Sequence, residues 1–213
     1  MTPEPGYPQR RWCGPQRRIG LTGGIAAGKS TVADILADRY GLPVLDADVY
    51  ARQLLAHGTV TSQAVLDRYG QQVQTPSGAL DRRALGRMIF ARPTERRWLE
   101  ALTHPLVKEA FTRDLARHHQ AATVALVAPL LFEAGLEALC SEVWLVDLDE
   151  AGQLARLLAR DRLSPREARQ RIQAQWPLAR KRGLADVILR NHGDRVELSR
   201  QVAMALTGQA MGG

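Results

Sequence analysis

Residues Gly23 to Ser30 read Gly-Gly-Ile-Ala-Ala-Gly-Lys-Ser and follow the spacing G-x-x-x-x-G-K-[ST]. Each residue type has a chemical reason. Gly23 and Gly28 let the backbone turn tightly and come close to phosphate oxygens. Successive N–H groups then form an anion nest, and a helix starting near Lys29 adds its positive dipole end. Lys29 is expected to reach the β/γ-phosphates and Ser30 to ligate Mg²⁺. Gly24, Ala26, Ala27, Gly28, Lys29, Ser30 and Thr31 are the expected nucleotide contacts. Alanine at position 26 disfavours a positive φ, so a slightly less open loop is expected there.

Two carboxylates, Asp46 and Asp48, follow the loop at the expected carboxyl end of a second strand. A spacing of two puts both on one side if the strand continues that far. A kinase acting on a hydroxyl needs a carboxylate to orient the acceptor and take its proton, and Asp48 is the candidate. Asp48 also fits a helix N-cap before Val49-Tyr50-Ala51-Arg52. Asp46, Glu133 and Asp147 are left as alternatives for assisting Mg²⁺, since no clean acidic strand end singles one out.

Arg156 and Arg160 stand four apart on one expected helix and share a face. Either could close over a triphosphate from a mobile lid, with Arg160 the first choice. The five histidines show no metal-ligand spacing, and His104 before Pro105 could touch the acceptor or end a helix.

The elements that must position these groups are legible in outline. Arg18–Thr22 reads as a buried strand, Lys29–Arg39 as a helix ended by Gly41, and Val44–Asp46 as a second strand. Residues 48–118 read as almost wholly helical, with Asp81 capping one helix and a break expected at His104–Pro105. Strands return at Thr123–Ala128 and Val143–Asp147. Asp149 and Ser164 read as helix caps, the latter opening the capping box Ser164-Pro165-Arg166-Glu167. A strand over Asp186–Leu189 and a helix from Asp194 to Leu206 close the pattern.

The expected fold is α/β: a P-loop NTPase-type parallel sheet with helices on both faces and two helical pieces, an insertion and a lid, projecting from it. The expected division is a disordered extension over 1–17 and one kinase domain over 18–210. Its core would be 18–49, 120–155 and 183–210, its insertion 50–119 and its lid 156–182.

Bulk properties narrow the classes. The net charge of +7 suits nucleotide phosphates or nucleic acid, but aromatics are only 5% and no nucleic-acid motif is present. Of 29 basic residues only Lys29, Lys108 and Lys181 are lysines, one of them in the phosphate loop. Two cysteines make neither a disulfide framework nor a metal site, which makes reduced cytoplasmic thiols the default expectation. No membrane span and no secretory signal are expected.

The opening Gly20-Leu21-Thr22-Gly23-Gly24-Ile25 resembles that of dephospho-coenzyme A kinases. The same family is matched by Asp46-Ala47-Asp48 with Arg52, by His104-Pro105-Leu106 and by Pro129-Leu130-Leu131 with Glu133. Gln153 through Arg156 to Arg160-Asp161 also match, as do Ala185-Asp186 through Ile188 to Asn191 and Gly193. The resemblance runs from about 19 to 206. It implies transfer of the ATP γ-phosphoryl group to the ribose 3′-hydroxyl of dephospho-coenzyme A by a nucleotide core, a helical acceptor-binding domain and a lid; no nucleic-acid partner is expected, on the few aromatics and the missing motif. It further implies that Asp48 is the base, that Arg52 contacts the acceptor, that Arg160 reaches the ATP phosphates and that Asn191 flanks the adenine. Ala26 departs from the family's usual glycine. The alternatives are another nucleoside- or nucleotide-type kinase, or a nucleic-acid-dependent NTPase.

Overall fold

The structure is a computed structural model in which residues 11–161 and 163–208 are described. The chain divides into two units: Met1–Leu45 with Asp114–Gly213, and Asp46–Arg113. The insertion thus starts and ends a few residues earlier than 50–119. Residues 156–182 fall inside the first unit.

A five-stranded sheet of order β2-β3-β1-β4-β5 underlies the first unit. Its strands are β1 (Arg17–Gly23), β2 (Val44–Asp46), β3 (Thr123–Val127), β4 (Glu142–Asp147) and β5 (Val187–Arg190). β1 pairs in parallel with both β3 and β4, and β4 pairs in parallel with β5. The central strands read as nearly unbroken apolar runs because both of their faces are covered. Ile19, Leu21, Val124, Leu126, Val143 and Leu145 are fully buried.

β1 is central, with later strands on either side. Ligands of open parallel sheets gather outside the carboxyl ends of strands where the order reverses. The loop after β1 occupies that position.

After it come α1 (Lys29–Asp34) and a single π-helical turn over Ile35–Arg39, where one continuous α-helix was expected. Gly41, at φ 63°, stops it. In the second half of the unit, α6 (Glu150–Asp161), α7 (Pro165–Gln173) and α8 (Leu178–Arg182) precede β5, and α9 (Arg195–Thr207) closes it. Ser164 accepts from the Glu167 N–H and Glu167 reaches back to Ser164, which is the expected capping box.

The second unit is helical: α2 (Ala47–Leu54), α3 (Val60–Tyr69), α4 (Arg82–Ala91) and most of α5 (Pro93–Arg117). Val65, Tyr69, Val73, Leu85 and Leu99 form its own core, with Tyr69 and Trp98 edge-to-face at 5.6 Å. The Arg68 guanidinium and the Tyr69 hydroxyl bond Glu95 and hold its carboxyl below the usual range.

The break expected at His104–Pro105 is absent, and α5 runs through it. Proline forfeits one hydrogen bond, to the carbonyl four residues back. The buried row Leu99, Thr103, Val107, Ala110 and Phe111 flanks it on both sides, so packing outweighs that loss.

The disordered extension expected over 1–17 is also corrected where it is described; residues 1–10 lie outside the described residues. Trp12 donates its backbone N–H to the Cys140 carbonyl and its indole N–H to Gln16, and Arg18 stacks on its ring at 3.5 Å. Gln16 donates to the His118 and Ala121 carbonyls. Arg11 adds a salt bridge to Asp186 and a bond to the Leu184 carbonyl, so Arg11, Trp12 and Gln16 together dock this stretch.

Candidate active site

The phosphate loop gets its shape from backbone that only certain residues adopt. Gly23 has φ 153°, and a Cβ there would lie 2.5 Å from the Val146 carbonyl oxygen. Gly28 caps α1 with φ 101°. Between them Ala26 takes φ 57°, the one positive φ of a non-glycine among the described residues. The sequence reading was the opposite. The loop imposes the left-handed turn, and the alanine bears a strain of about 1–2 kcal/mol.

Lys29 folds back over the loop, its ammonium donating to the carbonyls of Gly23 (3.0 Å) and Gly24 (2.8 Å). This places a positive charge at the loop that phosphate oxygens can compete for. Ser30 is exposed in the first turn of α1, with Thr31 after it.

Behind the loop, Asn191 is buried and donates from Nδ2 to the Ala27 carbonyl at 2.7 Å. Its own N–H donates to the Asp147 carbonyl, and its carbonyl accepts from Arg156 at 3.0 Å. Arg156 Nη1 lies 3.7 Å from where a Cβ on Gly28 would stand. Of the two arginines on α6, Arg156 therefore has its guanidinium beside the loop. Arg160 instead pairs with Asp161 on its exposed side of α6, which holds the Asp161 carboxyl below its usual range. Spacing puts both on one face of α6, and it does not mark which partner each takes.

Two glutamines reach the loop, and neither is among the expected site residues. Gln153 is buried and donates to the Leu148 carbonyl, and its amide fills the space a Cβ on Gly24 would need. Gln175 accepts from the Ile25 N–H at 2.9 Å. A lone glutamine has no spacing signature: Gln153 is marked in the sequence only by the family resemblance, and Gln175 is not marked at all.

Of the acids left open for a metal, two are already ion-paired. Asp147 is buried and bonded to Arg182 through both oxygens. Glu133 holds Lys181 at 2.8 Å and accepts from the Trp176 N–H. Among the described residues no three His, Cys, Asp or Glu side chains are grouped to hold a metal ion.

β2 stops at Asp46, where the second unit begins, and the chain turns straight into α2. The two aspartates therefore do not share a strand face. Asp46 is the N-cap, accepting from the Asp48 N–H at 2.7 Å. Capping is thus Asp46's role, and Asp48 stands exposed in the first turn. Arg52 lies four residues on, on the same face of α2, and its carbonyl accepts from Arg82. His104 is half-buried within α5.

A family model described as dephospho-CoA kinase matches residues 17–197. A curated dephospho-CoA kinase of Synechococcus sp. strain CC9605 is 59% identical over 179 residues, covering 84% of this chain and 86% of that protein. The crystal structure of TT1252 from Thermus thermophilus superposes with a TM-score of 0.75 at 36% identity, covering 92% of this chain and 99% of that one. The dephospho-CoA kinase of Campylobacter jejuni shares the fold, with a TM-score of 0.59 at 21% identity over 92% of this chain and 98% of that one.

Proposed function

This chain belongs to the dephospho-coenzyme A kinase family and catalyses that family's reaction, and we propose that Asp48 is the base of the transfer. ATP and dephospho-coenzyme A give ADP and coenzyme A, the final step of coenzyme A synthesis. The acceptor's 3′-oxygen forms a bond to the γ-phosphorus as the bond to the ADP oxygen breaks. The hydroxyl proton goes to the Asp48 carboxylate. The observation that carries this assignment is position: Asp48 stands exposed in the first turn of α2, the helix that Asp46 caps.

The loop supplies the other half of the chemistry. Backbone N–H groups and Lys29 bind the β- and γ-phosphates and offset the charge that builds on the equatorial oxygens. Arg156 is close enough to the loop to add to that field, and Arg160 joins it if α6 and α7 close as a lid. Arg52 and His104 are assigned to the acceptor, and Asn191 to the nucleotide side through its grip on Ala27.

Mg²⁺ fits the donor set. It keeps several waters and takes few protein oxygens, and Ser30 offers one hydroxyl at the start of α1. When bound to ATP, the ion screens charge between the β- and γ-phosphates. Both substrates are small molecules, and no described helix is long and apolar enough to cross a membrane. A cytoplasmic setting without a nucleic-acid partner suits that chemistry.

The test is one assay: the protein with ATP, Mg²⁺ and dephospho-coenzyme A, product followed by mass spectrometry. Coenzyme A should form. No coenzyme A, with phosphorylation of another nucleoside or sugar from an acceptor panel, would overturn the substrate.

A further inference from the structure

One peptide of the phosphate loop is held at both ends. The carbonyl of the Gly24–Ile25 peptide accepts from Lys29 Nζ at 2.8 Å, and its N–H donates to Gln175 Oε1 at 2.9 Å. In a trans peptide these two groups point opposite ways. The plane is therefore clamped between a cation from α1 and a neutral acceptor from the connection between α7 and α8. The two bonds reinforce each other, because a cation on the carbonyl makes the N–H a better donor.

The clamp answers a need of the sequence. Gly24 has no Cβ and restrains the rotation of the following peptide least of all residues. Immediately downstream Ala26 is already strained at φ 57°. Without an external hold, this plane is the part of the loop freest to turn. If it turns, the Gly24 carbonyl no longer marks where the Lys29 ammonium waits.

Gln175 is well mounted for the task. The next residue, Trp176, donates its N–H to Glu133 and stacks on Phe132 with ring centroids 6.4 Å apart. Glu133 in turn pairs with buried Lys181, whose ammonium also donates to the Pro129 carbonyl. The acceptor over the loop thus stands on a post fixed to the segment after β3.

We propose that Gln175 is a positioning residue for ATP: it presets the Gly24–Ile25 peptide, and through it Lys29, before the nucleotide arrives. The proposal rests on the loop being the ATP site. A preset loop lowers the cost of binding phosphate in ground state and transition state alike, so the effect belongs in KM for ATP rather than in kcat.

The experiment compares wild type with Gln175→Leu, which keeps the bulk but removes the acceptor, and Gln175→Asn, which keeps the acceptor one methylene short. Steady-state constants for both substrates, ADP affinity by calorimetry, exchange of the Ile25 amide by NMR and thermal midpoints are measured. Losing one neutral hydrogen bond corresponds to about a 3–10-fold effect. KM for ATP and Kd for ADP should rise by about that factor in Gln175→Leu and less in Gln175→Asn. The Ile25 amide should exchange faster, while kcat, KM for dephospho-coenzyme A and the midpoint stay near wild type. An unchanged KM for ATP, a fall in kcat at constant KM, or a lowered midpoint with both constants disturbed would each overturn it. If wild type makes no coenzyme A, the substrate reading fails instead, and ADP affinity and Ile25 exchange still decide the role of Gln175.

Discussion

Lys181 and Glu133 meet at 2.8 Å, the lysine side chain only 1% exposed and the glutamate 12%. One Glu133 oxygen is buried with no hydrogen-bond partner among the described residues, so the carboxylate leans on this one cation and the Trp176 N–H. Removing one member of such a pair leaves an uncompensated charge and costs ~3–5 kcal/mol. Lys181→Met should lose about that much in denaturant unfolding, and adding Glu133→Gln should recover a large part. A loss under about 1 kcal/mol would mean that water screens the pair.

That anchor changes which part of the expected lid can move. Trp176, Lys181 and Arg182 all bond the segment after β3 or the end of β4. α7 is tied by Ser164 and Glu167 to itself and by Arg171 to Asp161 on α6. Hydrogen exchange with and without ATP analogue should therefore change over α6 and α7 and stay constant over 176–182. A protection change spread evenly across 156–182 would refute this split, and none at all would refute a closing lid.

Asp48 and Asp46 should separate in kinetics. Asp48→Asn keeps size but removes the proton acceptor and should cut kcat by ~10²–10⁴-fold, with ATP affinity little changed. Asp46→Asn keeps a capping side chain and should cost far less in kcat. The reverse ranking would transfer the base assignment to Asp46.

The two cysteines give a pH prediction. Cys13 is exposed and Cys140 buried, and burial pushes the Cys140 thiol up to about 12. At pH 8 a thiol reagent should label one cysteine in the native protein and two after denaturation. The folded value lies above the ordinary thiol range, so the contribution of Cys140 to stability is intact at neutral pH. It declines only as pH climbs from about 9 toward 12. Cys140→Ser should flatten that decline measured by chemical unfolding, and equal labelling of both native thiols would refute the burial argument.

The phosphate loop, the strands and the helix caps were legible in the chain because they are local. A glycine that must turn, an apolar run covered on both faces and a serine with glutamate three residues on each carry their physics within a few residues. Dephospho-coenzyme A kinase membership was legible as well, since its motifs are runs of neighbours. Tertiary structure decided what depends on distant partners. It drove Ala26 into a left-handed turn, carried α5 through Pro105, docked Trp12 beside Cys140 and set Arg156 beside Gly28 and Asn191 while Arg160 pairs with Asp161. It also brought Gln175 to Ile25, 150 residues away in the chain. A glutamine's amide is neutral and its acceptor unspecialised, so no pattern of types marks it. Only the folded path of the chain brings it to the phosphate loop.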